Sequence, residues 1–258
     1  MKRYHLFEFE DFSWFPATLR NRMTDYLRFA ITLFKMADPV IPILDRLMTD
    51  TGCRTIVDLA SGGGGPWGRL APALAERHPD LTVVLTDRYP NLPAMRTTKE
   101  RAPDHIAYRE APVDALDVPA DLPGIRTQFL SLHHFEPEEV AAIFRSAIAA
   151  RVPIAVFEFQ ERSVAQVIQY ALSPIFVLLL TPFIRPFSLN RLLFTYLIPL
   201  VPICIMWDGI VSALRTYTVD EVRALVAAIP GADSYAWDID AEKEGPVTVF
   251  RAVGRPRD

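Results

Sequence analysis

TIVDLASGGGGPWG, residues 55–68, decides the fold. A short apolar run carrying one aspartate leads into four consecutive glycines and then a proline. Ile56, Val57 and Leu59 have the apolar, partly β-branched character of a buried strand. Gly62 to Gly65 let the backbone take positive φ and leave no Cβ atoms between it and a ligand. Pro66 suits a first helical turn, where its missing N–H has no intrahelical partner to lose. Strand, glycine turn and helix in that order are how an α/β protein holds a nucleotide-like cofactor.

Working outward, Trp67, Leu70, Ala71 and Leu74 recur at helical spacing to about Arg77, and Leu81–Thr86 forms a second apolar run ending at Asp87. Asn91–Arg101 reads as a helix, Ile106–Tyr108 as a short strand, and Arg126–Leu132 as a strand ending in His133 and His134. Pro137–Ala150 is a helix with one apolar stripe and with proline and acids in its first turn. Pro153–Phe159 follows as a buried strand. Thr218 and Glu221 form a capping box for a helix whose buried face is Val222, Leu225, Val226 and Ile229, with Gly231 after its end. Tyr235–Ile239 and Val247–Val253 are two last strands, joined by Asp240–Gly245 as an antiparallel hairpin. Alternating βα units closed by a hairpin predict an α/β fold: a doubly wound, mostly parallel, seven-stranded sheet with an antiparallel terminal hairpin.

Two cofactors compete for the glycine turn. Gly63, Gly65 and Gly68 satisfy the dinucleotide pattern G-x-G-x-x-G, with Asp87 about twenty residues further on. Asp58, Gly62 and Gly64 give D-x-x-x-G-x-G, which resembles motif I of the class I S-adenosylmethionine-dependent methyltransferases. An acid before the turn would repel a pyrophosphate but suits the sulfonium and ammonium groups of adenosylmethionine. The resemblance covers about Pro39–Gln160 and Tyr217–Val253. It implies that Asp58, Ala60, Gly62 and Gly64 flank the methionine portion, and that Asp87 accepts the ribose hydroxyls, as a carboxylate with two acceptor oxygens can. It further implies that Arg88 packs against the adenine, that Asp114 with Ala115, or else Asp117, receives the adenine amino group, and that LSLHHF (residues 130–135, including Leu132) runs past the transferable methyl. His133 and His134 stand in that segment as candidate bases, with Asp208 as a rival. The chemistry is an in-line displacement that needs alignment and sometimes a base, so no metal is expected.

The chain then divides into an N-terminal helical lid or support (1–50), a methyltransferase core (51–160 and 214–258) and an apolar helical insertion (161–213). Trp14 and Phe15 in the first part, and Glu158, Trp207, Arg215 and Tyr217 around the insertion, are candidate acceptor contacts. Ser163–Trp207 carries only two charged residues, Arg185 and Arg191. Its apolar runs, Ala171–Ile184 and Leu192–Trp207, are 14 and 16 residues long and broken by prolines including Pro199 and Pro202. That is short of the ~20 residues of a bilayer span, which leaves an active-site lid, a homodimer face or a peripheral membrane contact.

With 258 residues, 50% of them hydrophobic, and a net charge of −4 without a long basic block, the chain can bury a large core and is not built for duplex nucleic acid. Cys53 and Cys204 lack metal-ligand spacing, and the opening MKRYHLFEFEDF places acids where a signal peptide needs apolar residues, so a cytoplasmic location is expected. The expected function is adenosylmethionine-dependent methylation of a small, largely apolar or aromatic metabolite. Its alternatives are a membrane-surface lipid or quinone methyltransferase, an NAD(P)-dependent reductase using the glycine loop, and a catalytically silent scaffold.

Overall fold

The central strand is β1 (Thr55–Leu59), buried along all but its first residue. The structure, a computed structural model, describes residues 1–244 and 247–257. Ahead of β1 come α1 (Ala17–Leu33) and α2 (Ile41–Thr51). After it the chain alternates through α3 (Trp67–Ala75), β2 (Thr82–Leu85), α4 (Leu92–Lys99), β3 (Ile106–Tyr108), β4 (Ile125–Phe129), α5 (Pro137–Ala150) and β5 (Ile154–Glu158). Four further helices follow: α6 (Val164–Ala171), α7 (Ser173–Leu180), α8 (Leu189–Leu192) and α9 (Leu200–Arg215). The chain closes with α10 (Val219–Ala227), β6 (Tyr235–Glu244) and β7 (Val247–Pro256).

The seven strands run in the order β3-β2-β1-β4-β5-β7-β6. β1 pairs in parallel with β2 and with β4, so Val57 has Val84 on one side and Arg126 on the other. β7 is antiparallel to β5, with Val156 opposite Ala252, and to β6. The chain leaves β1 in one direction and returns past it to β4, which makes the carboxyl ends of these two strands the switch point where a ligand crevice opens.

One face of the sheet packs on α2, α3 and α4 through Leu44, Met48, Leu70, Leu74 and Met95. The other packs on α5 and α10 through Val140, Phe144, Val222 and Val226. A third core lies off the sheet. It joins Phe15, Leu19, Met23 and Tyr26 to Val177, Ile184, Val201 and Ile205, so the N-terminal segment and the insertion form one cap. Arg191 ties the same two segments: it is buried and donates to Asp25 of α1 at 2.6 Å and to the carbonyls of Ile184 and Pro186.

Several boundaries differ from the sequence expectation for physical reasons. β4 ends at Phe129, because Leu130 takes positive φ (50°) and Leu132–His134 forms a 3₁₀ turn. Both hairpin strands are ten residues long, since cross-strand pairing continues to Glu244↔Val247. Gly245, the expected end of their connection, lies outside the described residues. Pro199 precedes α9, but Pro202 sits inside its first turn, where no N–H is needed. α9 also runs through residue 213, the expected edge of the insertion, as far as Arg215.

Candidate functional site

The glycine turn closes over its own strand. Ala60, Gly62, Gly64 and Gly65 all take positive φ, between 46° and 96°. A Cβ on Gly64 would lie 2.6 Å from Thr98 Oγ1, which shows how closely α4 approaches. The Asp58 carboxylate accepts hydrogen bonds from Ser61 Oγ (2.6 Å) and Thr127 Oγ1 (2.7 Å). Burial lifts its pKa to about 6 even though these hydrogen bonds pull it down. It is 1% exposed and braces the turn from beneath. Asp87, just past β2, spans the turn from the other side: Gly62 N–H donates to Oδ2 and Tyr89 N–H to Oδ1, both at 2.6 Å. Burial raises its pKa against the opposing pull of those two amides.

A cavity of about 450 Å³ begins here. Ala60, Ser61, Gly62 and Asp87 form its floor, and Val113, Asp114, Ala115 and Leu116 one side. Asp114 Oδ1 accepts the Leu116 N–H at 3.0 Å, and Arg88, largely exposed, reaches within 3.8 Å of Asp114. Helix α1 forms the roof through Arg20, Thr24 and Arg28, and Asn91 Nδ2 donates to Thr24 Oγ1 at 3.0 Å.

A second cavity, about 480 Å³, lies between α1 and the insertion. Tyr26, Phe34, Phe159, Tyr170, Phe176 and Ile205 give it an apolar lining. Glu10, Leu27, Ile31, Leu130 and His134 border both cavities and so form the wall between them. On the second cavity's polar side His133, 3% exposed, places Nδ1 at 3.0 Å from both oxygens of Glu158. An ionised Glu158 accepts only, which suits a proton on Nδ1, while Nε2 lies 3.8 Å from Glu8 Oε1. Tyr170 Oη donates to Gln160 Oε1 at 2.8 Å beside this pair.

The N-terminal arm seals the wall. Glu8 is buried and accepts from Arg215 (2.9 Å) and Ser212 Oγ (3.1 Å) of α9, and Arg215 also reaches Asp11 at 2.8 Å. Asp208 accepts the N–H groups of Phe9 (2.8 Å) and Glu10 (3.4 Å). Burial, with the Glu8 charge adding to it, raises the Asp208 pKa to about 7. Glu10 is half-buried as a residue, yet its Oε1 is shielded and has no hydrogen-bond partner among the described residues. Burial and the Asp208 charge raise its pKa to about 8. Burial alone would lower His134, but the Glu8 charge and a 2.8 Å hydrogen bond to Asp11 override it and raise the pKa to about 10. Glu8, His133 and His134 bring three ligand-type atoms within 4.8 Å of one another, but the Arg215 guanidinium against Glu8 already supplies the positive charge a metal ion would bring.

No protein-family model matches the chain, and no curated protein matches it. Among solved structures it is similar to an O-methyltransferase family protein from Burkholderia thailandensis, at 16% identity and TM-score 0.51 over 90% of this chain. A structure described as an O-methyltransferase from Nostoc punctiforme aligns at 14% identity and TM-score 0.50 over 88% of this chain. The chain spans 59% of the length of each. The sheet order, with its reversed β7, is that of these methyltransferase structures' class. The chain has the class I methyltransferase fold.

Within that fold, Ala60, Gly62, Asp87, Arg88, Asp114 and Ala115 line the first cavity as anticipated positions, and Gly64 packs behind the turn on Thr98. Asp58 is not on the wall: its carboxylate is held by Ser61 and Thr127 beneath the turn, so it meets the cavity through the turn and by charge rather than by contact. Leu132 points into the core on α5, while Leu130 and Ser131 face the cavity because positive φ at Leu130 turns the chain. His134 sits in the shared wall, but its imidazolium holds its proton to about pH 10, which removes it as a base at neutral pH. Asp208 lines the second cavity, with its oxygens holding the arm's backbone.

The expected acceptor contacts are fasteners for the most part. Trp14 is 67% exposed, and Phe15 belongs to the cap core. Trp207 Nε1–H donates to the Phe7 carbonyl, and Tyr217 Oη to that of Phe135. Glu158 orients His133, and Arg215 reaches only the first cavity. The sequence reading missed Glu8, Glu10, Asp11, Arg20, Gln160 and Tyr170. An available signal was the E-F-E-D run at residues 8–11, acids alternating with aromatics in a chain whose insertion is otherwise apolar.

Proposed function

We propose that this chain is an S-adenosylmethionine-dependent methyltransferase acting on a small, largely apolar or aromatic metabolite that carries an ionisable hydroxyl or N–H. The observation that carries the reading is the pair of cavities meeting at one wall. The first is walled by glycine backbone and a strand-end carboxylate, and the second is apolar with a histidine–carboxylate pair on its polar side. Each volume falls in the range of small-molecule sites. Bound adenosylmethionine would supply an already activated methyl group. Asp87 keeps unused acceptor capacity on both oxygens for the ribose hydroxyls, and Val113, Ala115 and Leu116 offer an apolar slot for a flat ring.

His133 then takes the acceptor's proton on Nε2. Glu158 fixes its tautomer through Nδ1 and stabilises the imidazolium that forms. Leu27, Ile31 and Leu130 exclude water from the transfer path, and the two cavities hold donor and acceptor in line, which supplies most of the rate advantage of a displacement of this kind.

Calorimetric titration with S-adenosylhomocysteine and with NADH tests the cofactor. We expect saturable binding of the nucleoside, weakened on the order of 100-fold by Asp87→Asn. Removing the charge and one acceptor from two ribose hydrogen bonds costs about 3 kcal/mol. Saturable NADH binding with none of S-adenosylhomocysteine would overturn the reading in favour of a reductase.

A further inference from the structure

The insertion leaves an apolar face uncovered. Between Val164 and Ile203 fifteen large apolar side chains are 38–77% exposed, with Leu179, Phe183, Phe187, Leu189 and Leu197 among the most accessible. Monomeric soluble proteins rarely leave so many together without a partner for them. Among residues 163–207 there is no acid and no lysine, and of the two arginines Arg191 is buried against Asp25. Arg185, between Phe183 and Phe187, is the exposed charge on this face, and Lys35 stands beside Phe34 at its edge.

The backbone matches the side chains. Among the described residues no single helix is long and apolar enough to cross a membrane. Two helix pairs have the combined length and hydropathy of a span but are bent, by 42° between residues 164–171 and 173–183, and by 76° between residues 189–197 and 200–215. A bent apolar pair of this kind is shaped to enter a lipid surface without crossing it. The second cavity opens on this side, since Leu27, Phe34 and Phe176 line it and are also exposed, at 39%, 56% and 48%. A second protein copy seated here would cover that mouth, whereas a lipid surface would feed it.

We infer that the α6–α9 face docks on an anionic lipid bilayer and that the acceptor is a lipophilic molecule drawn from it through the Leu27/Phe34/Phe176 mouth. The identity of the acceptor rests on the second cavity being the methyl-acceptor site; the docking itself does not. Flotation with phosphatidylcholine vesicles, with and without phosphatidylglycerol, tests it alongside the variant Leu179→Glu/Leu197→Glu. Both substituted side chains are exposed, so the variant keeps the core, and unchanged S-adenosylhomocysteine affinity and melting temperature confirm that it does.

The wild type is expected to float, more strongly with the anionic lipid, and the variant to lose at least tenfold in vesicle partitioning. A wild type that stays out of the lipid fraction at low salt, or a variant that floats equally well, overturns the docking. So does a wild type that forms a dimer in sedimentation velocity and is made monomeric by the two substitutions without vesicle binding. Vesicle binding by a wild type that fails to bind S-adenosylhomocysteine would leave the surface standing and overturn the cofactor reading instead.

Discussion

Raising the pH should loosen the arm from α9, and Asp208 sets a measurable share of that effect. The carboxylate is 6% exposed, holds the Phe9 and Glu10 amides, and is raised by burial from its ordinary 3.8 to about 7. A group raised in the folded state stabilises fully below its unfolded pKa and stops doing so as pH climbs through the folded value. Between pH 6 and pH 9 the unfolded chain is ionised here throughout, while the native side chain goes from mostly protonated to ionised, a loss of about 1.4 kcal/mol. For a chain of this size that corresponds to roughly 3–6 °C in melting temperature. In Asp208→Asn the amide oxygen still accepts from Phe9 but no longer titrates. Thermal melts of both proteins at the two pH values and matched ionic strength should show a fall in the wild type exceeding that of the variant by about this amount. Glu10, raised to about 8, and His134, raised to about 10, act in the same direction, Glu10 less so in the variant because the Asp208 charge is gone. His134 contributes fully below pH 6.5 and loses its contribution as pH rises through 10; because the Asp208 charge itself helps raise Glu10, the excess fall of the wild type reads Asp208 together with its effect on Glu10. Equal falls in the two proteins, or a wild type more stable at pH 9, would refute the reasoning.

Gly64→Ala should destabilise the fold by about 1–3 kcal/mol and weaken S-adenosylhomocysteine binding, because φ is 96° and the new Cβ would meet Thr98 Oγ1 at 2.6 Å. Urea unfolding and calorimetry read the two effects, and wild-type stability would show that α4 gives way freely. Arg191→Met should cost about 3–5 kcal/mol, because it strips a buried cation from Asp25 and from two carbonyls that join the insertion to α1. An unchanged denaturation midpoint would mean that the cap core alone holds these segments together.

The cofactor half of the molecule was legible because it is written in contiguous runs. A strand, a glycine turn and an acid at the next strand end are local instructions, and the capping box at Thr218 with Glu221 lies where its spacing said it would. Even there, residue type outran side-chain direction. Asp58 has the right place in the chain for a ligand contact but points at Ser61 and at Thr127, its cross-strand partner on β4 and so its neighbour on the same face of the sheet. LSLHHF failed similarly. An apolar run ending in two histidines reads as strand, whereas positive φ at Leu130, which no side chain announces, turns it out of the sheet.

The cap around the second cavity is assembled from partners that periodicity cannot join. Glu8 meets Arg215 across 207 residues, and Phe9 meets Asp208 across 199. One part was nonetheless readable. Asp208, Ser212 and Arg215 are spaced by four and three, which is a single face of a helix. Read as a loop returning to solvent, the string looks like scattered polarity. Read at helical period on an otherwise apolar helix, it is a buried polar stripe, and such a stripe must find charged or amide partners or leave polar groups unsatisfied. The nearest unclaimed set of matching charge was the E-F-E-D run, and Glu8 and Asp11 take Arg215 while the amides of Phe9 and Glu10 take Asp208. Demanding a partner for every buried polar residue would therefore have docked the N-terminus on the insertion, and with it located the wall between the two cavities.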